Sequence, residues 1–153
     1  MKSENKKSRH FTVTVRREFP RPLDEVFLAW TNPEIRRNVL ASGRYKNNVK
    51  EIAIEEGGYE RYEDRWKNHL YGVTTRRNLI IRPMRMIVSH TEMSMTSKVI
   101  DQHFALQELL LFKPKGDACE IVASDQCIAI EPTYIHSAKD TLNEVFDAFA
   151  AEL

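Results

Sequence analysis

The regular pattern of the chain begins at "HFTVTVRREF", residues 10–19, where Phe11, Val13 and Val15 alternate with Thr12, Thr14 and Arg16. That two-residue period predicts a half-buried strand. The period changes in "PRPLDEVFLAWT". There Pro22 suits a first helical turn, Asp24 and Glu25 suit its positive end, and Val26, Phe27, Ala29 and Trp30 form an apolar stripe. "NPEIRRNVLA" predicts a second short helix, with Asn32 as its cap, Pro33 just inside and a stop before Gly43. Strands are then predicted in "NVKEIAIEE", "YERYEDRW", "YGVTTRRNLIIRP", "MRMIVSHTEM", "VIDQHFALQELLLF" and "CEIVASDQCIAI". Arg82-Pro83 marks a turn with no room for a helix, and "KPKGDA" marks a hairpin loop, so the strands form an antiparallel meander. The final segment, "EPTYIHSAKDTLNEVFDAFAAEL", spaces Leu142, Val145, Phe146 and Phe149 by threes and fours, the signature of a long amphipathic helix.

One strand, two short helices, six strands and one long helix describe an α+β fold. A sheet of seven strands twists and curls, and the last helix has an apolar stripe to bury. The expected architecture is therefore a curved antiparallel sheet wrapped around the C-terminal helix. A length of 153 residues fits one domain over 10–153, behind a disordered polar lead over 1–9. With 23 Lys and Arg against 22 Asp and Glu, the chain lacks the basic excess of a dedicated nucleic-acid binder. No apolar run approaches the ~18 residues of a membrane span, and the polar start lacks the hydrophobic segment of a signal peptide, so a cytoplasmic location is expected. Cys119 and Cys127, on one strand, would stand roughly 26 Å apart, far beyond disulfide reach, and are expected as reduced packing residues.

Candidate chemistry is sparse. In "EEGGYERYEDRW", residues 55–66, Tyr59, Arg61, Glu63 and Arg65 share one side of the strand, and Glu60, Tyr62, Asp64 and Trp66 share the other. Glu60 and Asp64 would lie roughly 13 Å apart, too far for a proton-sharing dyad or a glycosidase pair. Each acid can still act singly, or pair with an arginine. The histidines, His10, His69, His90, His103 and His136, show no metal-ligand spacing, although His90 and His103 on neighbouring strands, with Glu92, would form a cluster in one register. Asp125-Gln126-Cys127 has no base identifiable beside it, and no nucleophile elbow, phosphate loop or dinucleotide fingerprint occurs. No metal and no cofactor are expected. Met84, Met86, Met93 and Met95 suit either an adaptable cavity or an ordinary core.

Three stretches resemble a known family: "REFPRPLDEVFLAWTNPE" (17–34), "GGYERYED" (57–64) and "IIRPMRMIVSHTEM" (80–93). They are similar to the START-like, or SRPBCC, superfamily with the helix-grip fold of the birch-pollen allergen, and within it to the AHSA-type domain of chaperone ATPase activators. The likeness extends over residues 10–153. It departs at "RRNVLA", where relatives often carry tryptophans, and at Ser137-Ala138, where many have Gly-Trp. The resemblance implies that Glu60, Tyr62, Asp64 and Trp66 face inward unless a bulge exchanges the faces. It also implies a ligand pocket lined by Trp30, Glu60, Tyr62, Asp64, Trp66, His90, Tyr134, Leu142, Phe146 and Phe149. The leading expectation is a binding protein for a hydrophobic small-molecule ligand. A cavity enzyme of cyclase, aromatase or hydrolase type, using a pocket carboxylate or histidine, is the alternative, and a chaperone-interaction module is the second. The open edges of such a sheet would also allow a homodimer.

Overall fold

The structure, a computed structural model, describes residues 9–42, 48–66, 69–96, 101–129 and 133–153. Side chains at 9, 64–66, 69–71, 95–96, 101–104, 128–129 and 133–137 lie outside the described set. The disordered lead expected over 1–9 therefore falls almost wholly outside it, and Arg9 already belongs to a strand.

The element order is β1 (Arg9–Phe19), α1 (Leu23–Trp30), α2 (Pro33–Ser42), β2 (Asn48–Ile52), β3 (Tyr59–Trp66), β4 (His69–Arg82), β5 (Met86–Thr96), β6 (Asp101–Lys115), β7 (Ala118–Ala129) and α3 (Thr133–Glu152). The seven strands make one curved antiparallel sheet in the order β1-β7-β6-β5-β4-β3-β2. This is the expected α+β architecture. Consecutive strands from β2 to β7 are neighbours, as a meander requires, and the first strand closes onto the last. Asn32 caps α2 as expected, its side-chain oxygen accepting from the backbone N–H groups of Glu34 at 2.9 Å and Ile35 at 3.2 Å. Pro22 stands one step outside α1, at the cap, rather than within its first turn.

Two boundaries differ from the sequence pattern for local reasons. The strand expected over 48–56 ends at Ile52. Beyond it the chain turns through Gly57 at φ +80°, a backbone region open to glycine at no steric cost. The Gly57 N–H donates to Asn78 O at 2.7 Å, and Asn78 N–H donates to Gly58 O at 2.9 Å, docking the glycine pair on β4. A Cβ at Gly58 would lie 2.5 Å from Ala53 O, so this close approach requires glycine. At the other hairpin, the loop expected over "KPKGDA" narrows to the two residues Gly116-Asp117 between Lys115 and Ala118, with Gly116 at φ +60°. Pro114 can sit in β6 because β5 ends its pairing at Leu111. The Phe112 N–H, on the same side, already reaches back to Arg85 O at 2.9 Å, so the missing proline N–H costs no ladder bond.

The hydrophobic core lies at one end of the concave face, under α1 and α3. Phe19 meets Phe146 and Phe149 edge-on, with centroids 5.8 and 5.2 Å apart. Trp30 stands 4.8 Å from Phe149, and Phe27 stands 5.0 Å from Phe112. α3 is tied to β1 by Arg17, whose Nη1 donates to Asp147 Oδ1 at 2.7 Å, and its end by Arg21, which donates to Leu153 O at 3.1 Å. Both cysteines are buried and free, and share β7.

Candidate functional site

The concave face resolves into rows that cross the strands. One row, Ile81, Ile87, Leu110, Ala123 and Val15, is apolar and belongs to the core. The next is Asn78, Ser89, Glu108, Asp125 and Val13, and the one beyond it is Glu60, Arg76, Thr91, Leu106, Cys127 and Phe11. Every polar member of these two rows is buried. The inner surface thus passes from apolar to polar within two or three residues along β4, β5, β6 and β7, while β1 stays apolar.

A chain of charges runs through the polar rows. Arg36, from α2, grips Glu60 with two hydrogen bonds, Nε to Oε1 and Nη2 to Oε2, each 3.0 Å. Its guanidinium carbon also stands 5.0 Å from the Trp30 ring centroid, so the group is stacked as well as paired. Arg76, from β4, donates through Nε to Ser89 Oγ at 3.0 Å and places Nη2 2.7 Å from Glu108 Oε1, a close ion pair that lies off the hydrogen-bond axis. Glu108 faces Asp125 directly across β6 and β7.

These contacts set the charge states. Burial works to raise the Glu60 carboxyl, but Arg36 and Arg76 outweigh it and hold the group below its ordinary value. Burial likewise works to lower the Arg76 guanidinium, and Glu108 and Glu60 reverse it. For Asp125, burial and then the facing Glu108 carboxyl act together against Arg76, and its pKa is pushed up to about 9. At neutral pH Asp125 is therefore an uncharged acid bonded to Glu108. Burial, with Asp125 beside it, also pushes the Cys127 thiol up to about 11, which removes Asp125-Gln126-Cys127 as a thiolate nucleophile at neutral pH.

The Asp125 shift has a sign that can be tested. Its folded pKa exceeds the ordinary 3.8, so between 3.8 and about 9 the unfolded chain binds fewer protons than the folded one. The stability from this group is complete below 3.8 and is lost as pH rises toward 9, with a slope of at most about 1.4 kcal/mol per pH unit. Glu60 acts in the opposite sense, its contribution being lost as pH falls below its ordinary 4.5. Melting temperatures from about pH 5 to about pH 9 are expected to fall for the wild type and to stay nearly level for Asp125→Asn.

The structure brings together some of the residues singled out from sequence and separates others. Glu60 is inward and buried, and Trp30 lies next to it through Arg36. Tyr62 shares the concave parity opposite Thr74 and is half-buried. Leu142, Phe146 and Phe149 face the interior from α3, the two phenylalanines within the aromatic core. His90 does not join them, correcting its expected place in the pocket. Ser89 and Thr91 take the buried side of β5, so His90 points to the convex face, its side chain 42% exposed and its Nε2 3.4 Å from Glu92 Oε1. His90 pairs in register with Gln107, and His103 with Ser94, so the backbone positions of the two histidines stand four residues apart along the sheet, and the side chain of His103 lies outside the described residues. Met86 and Met93 fall on opposite faces of β5. The side chains of Asp64, Trp66 and Tyr134 lie outside the described residues. Among the described residues no group of three or more His, Cys, Asp or Glu is placed to hold a metal ion. Likewise, none of the helices described is long and apolar enough to cross a membrane.

Arg36, Arg76, Glu108 and Asp125 were not anticipated. A signal for two of them is present in the sequence. Glu108 is in phase with Leu106, Leu110 and Phe112, and Asp125 with Ile121, Ala123 and Cys127, so each places a carboxyl on the apolar side of its strand.

The concave sheet, the long closing helix and the two short helices after the first strand recur in solved structures. The protein Mll3558 from Rhizobium loti superposes with a TM-score of 0.82 at 20% identity, covering 96% of this chain and 99% of its own. Ara h 8.0201 superposes with a TM-score of 0.72 at 10% identity, over 94% and 97%. DynU16, a putative protein in the dynemicin biosynthetic locus, superposes at 0.62 and 15% identity, covering 92% of this chain and 46% of that one. This is the START-like helix-grip fold. No protein-family model matches the sequence, and neither does any curated protein. Identities of 10 to 20% carry the fold alone. In START-like terms, the grip consists of the concave rows described above, and α3 is the helix it holds.

Proposed function

We propose that this START-like protein binds a small molecule, apolar or aromatic over most of its surface, between the polar rows of the sheet and the N-terminal half of α3. The observation that carries this reading is the taper of the buried helix stripe. Among the described side chains of α3, which begin at Ala138, it runs Phe149, Phe146, Leu142, Ala138 toward the N-terminus, so the side chains shrink from aromatic rings to a methyl group. The large end meets the apolar row and Phe19. α3 follows directly from β7, so its small end lies toward the end of β7 that carries Asp125 and Cys127. Small-molecule sites are apolar hollows with a few convergent polar groups that orient the guest, and a small stripe end beside buried polar rows supports that reading. Glu60, Tyr62 and Leu142 are the described residues of the expected pocket best placed to line it. Within the superfamily, the glycine pair and the proline turn before β5 favour an AHSA-type relationship.

The test is a thermal-shift screen of lipids, sterols and aromatic metabolites. A true guest at about a hundred times its Kd adds about 2.7 kcal/mol, which raises the melting temperature of a domain this size by about 5–10 °C. The reading fails if no member of such a screen shifts the transition.

A further inference from the structure

Among the described residues three buried polar atoms of the network have no hydrogen-bond partner: Arg36 Nη1, Asp125 Oδ1 and Glu108 Oε1, of which Glu108 Oε1 stands in the close ion pair with Arg76. Arg36 is 3% exposed and Asp125 6%, so bulk water does not serve them. Buried polar groups without partners are rare in native proteins, because each forfeits hydrogen bonds it would make in water. Arg36 and Asp125 belong to different elements, α2 and β7, and stand at opposite ends of the network, Arg36 on Glu60 of β3 and Asp125 four strands away on β7. Among the described residues the charges between them, by contrast, are matched. Arg36 and Arg76 carry two positive charges, Glu60 and Glu108 two negative ones, and each ion stands against an opposite charge. Asp125, opposed across the ladder by Glu108, adds none while the two carboxyls share a proton.

We infer that the guest carries an uncharged hydrogen-bonding group, a hydroxyl, carbonyl or amide, and that this group is received at the Arg36–Glu60–Arg76–Glu108–Asp125 network. The inference rests on the small-molecule reading above and names the polar part of that guest. A carboxylate or ammonium group would enter a buried site whose ions are already matched. It would lose its hydration without gaining a counter-charge. A wholly apolar guest would leave the donor and the acceptor unserved. A hydroxyl can donate at the Asp125 end or accept at the Arg36 end, and a carbonyl suits the Arg36 N–H groups.

The experiment titrates the wild-type protein with four probes of one shape: 2-naphthylmethanol, 2-naphthoate, 2-naphthylmethylammonium and 2-methylnaphthalene. Intrinsic tryptophan fluorescence and calorimetry at about pH 7 read the affinity. The alcohol is expected to bind at least about tenfold more tightly than each of the other three. A charged probe that equals or exceeds the alcohol overturns the inference while leaving the small-molecule reading standing. Equal binding by the hydrocarbon does the same. Failure of all four to bind, together with a blank thermal-shift screen, removes both.

Discussion

Arg36→Ala is expected to lower the unfolding free energy by about 3–5 kcal/mol, the range for breaking a buried ion pair from one side. The substitution removes both hydrogen bonds to Glu60 and the stacking on Trp30. It leaves a carboxylate that is 3% exposed, with Arg76 as its remaining cation. Urea titration should show the midpoint falling with an unchanged slope, since the surface exposed on unfolding is the same. Arg36→Lys should recover only a minor part, because an ammonium group neither forms the two-pronged bond nor stacks as a plane. A loss below about 1 kcal/mol would place Arg36 among ordinary surface pairs and contradict the network.

Phe146→Ala is expected to cost a comparable amount, about 3–5 kcal/mol, for a different reason. Phe146 is 1% exposed and meets Phe19 edge-on, with the Trp30 ring 6.0 Å away. Three elements, β1, α1 and α3, converge on its ring, so the space left by truncation cannot close by a shift of one of them. Two terms add, the lost transfer of an aromatic side chain and the cavity that remains. The same urea measurement reads it. A double variant with Arg36→Ala should lose nearly the sum of the two, unless the Trp30 ring that both residues contact couples them.

Much of this fold was legible because periodicity reports which side of an element is buried. The alternation in residues 10–19 and the three-and-four spacing of Leu142, Phe146 and Phe149 were sufficient to place β1 and α3. Lengths were less legible where a tertiary contact intervenes. β2 stops early because the glycine pair docks on Asn78, and a contact between residues 57 and 78 leaves no mark on the local pattern. The site divides in the same way. The inward parity of Glu60 followed from resemblance, whereas its partner Arg36 depends on how α2 lies across β3. The placement of His90 failed because alternation has two phases, and the buried Ser89 and Thr91 take the inner one. Glu108 and Asp125 were visible as charges out of place among apolar residues, but only the register reveals that they oppose each other.

The pairing of the first strand with the last has a temporal consequence. Val13 pairs with Asp125, and Val15 with Ala123, so this edge of the sheet joins residues more than a hundred positions apart. During synthesis β1 leaves the ribosome with its apolar side chains and ladder groups unserved, and its partner follows only after every other strand. Contacts of such long span slow folding, and a waiting strand edge invites pairing with foreign chains. The nascent chain is therefore most vulnerable before β7 emerges.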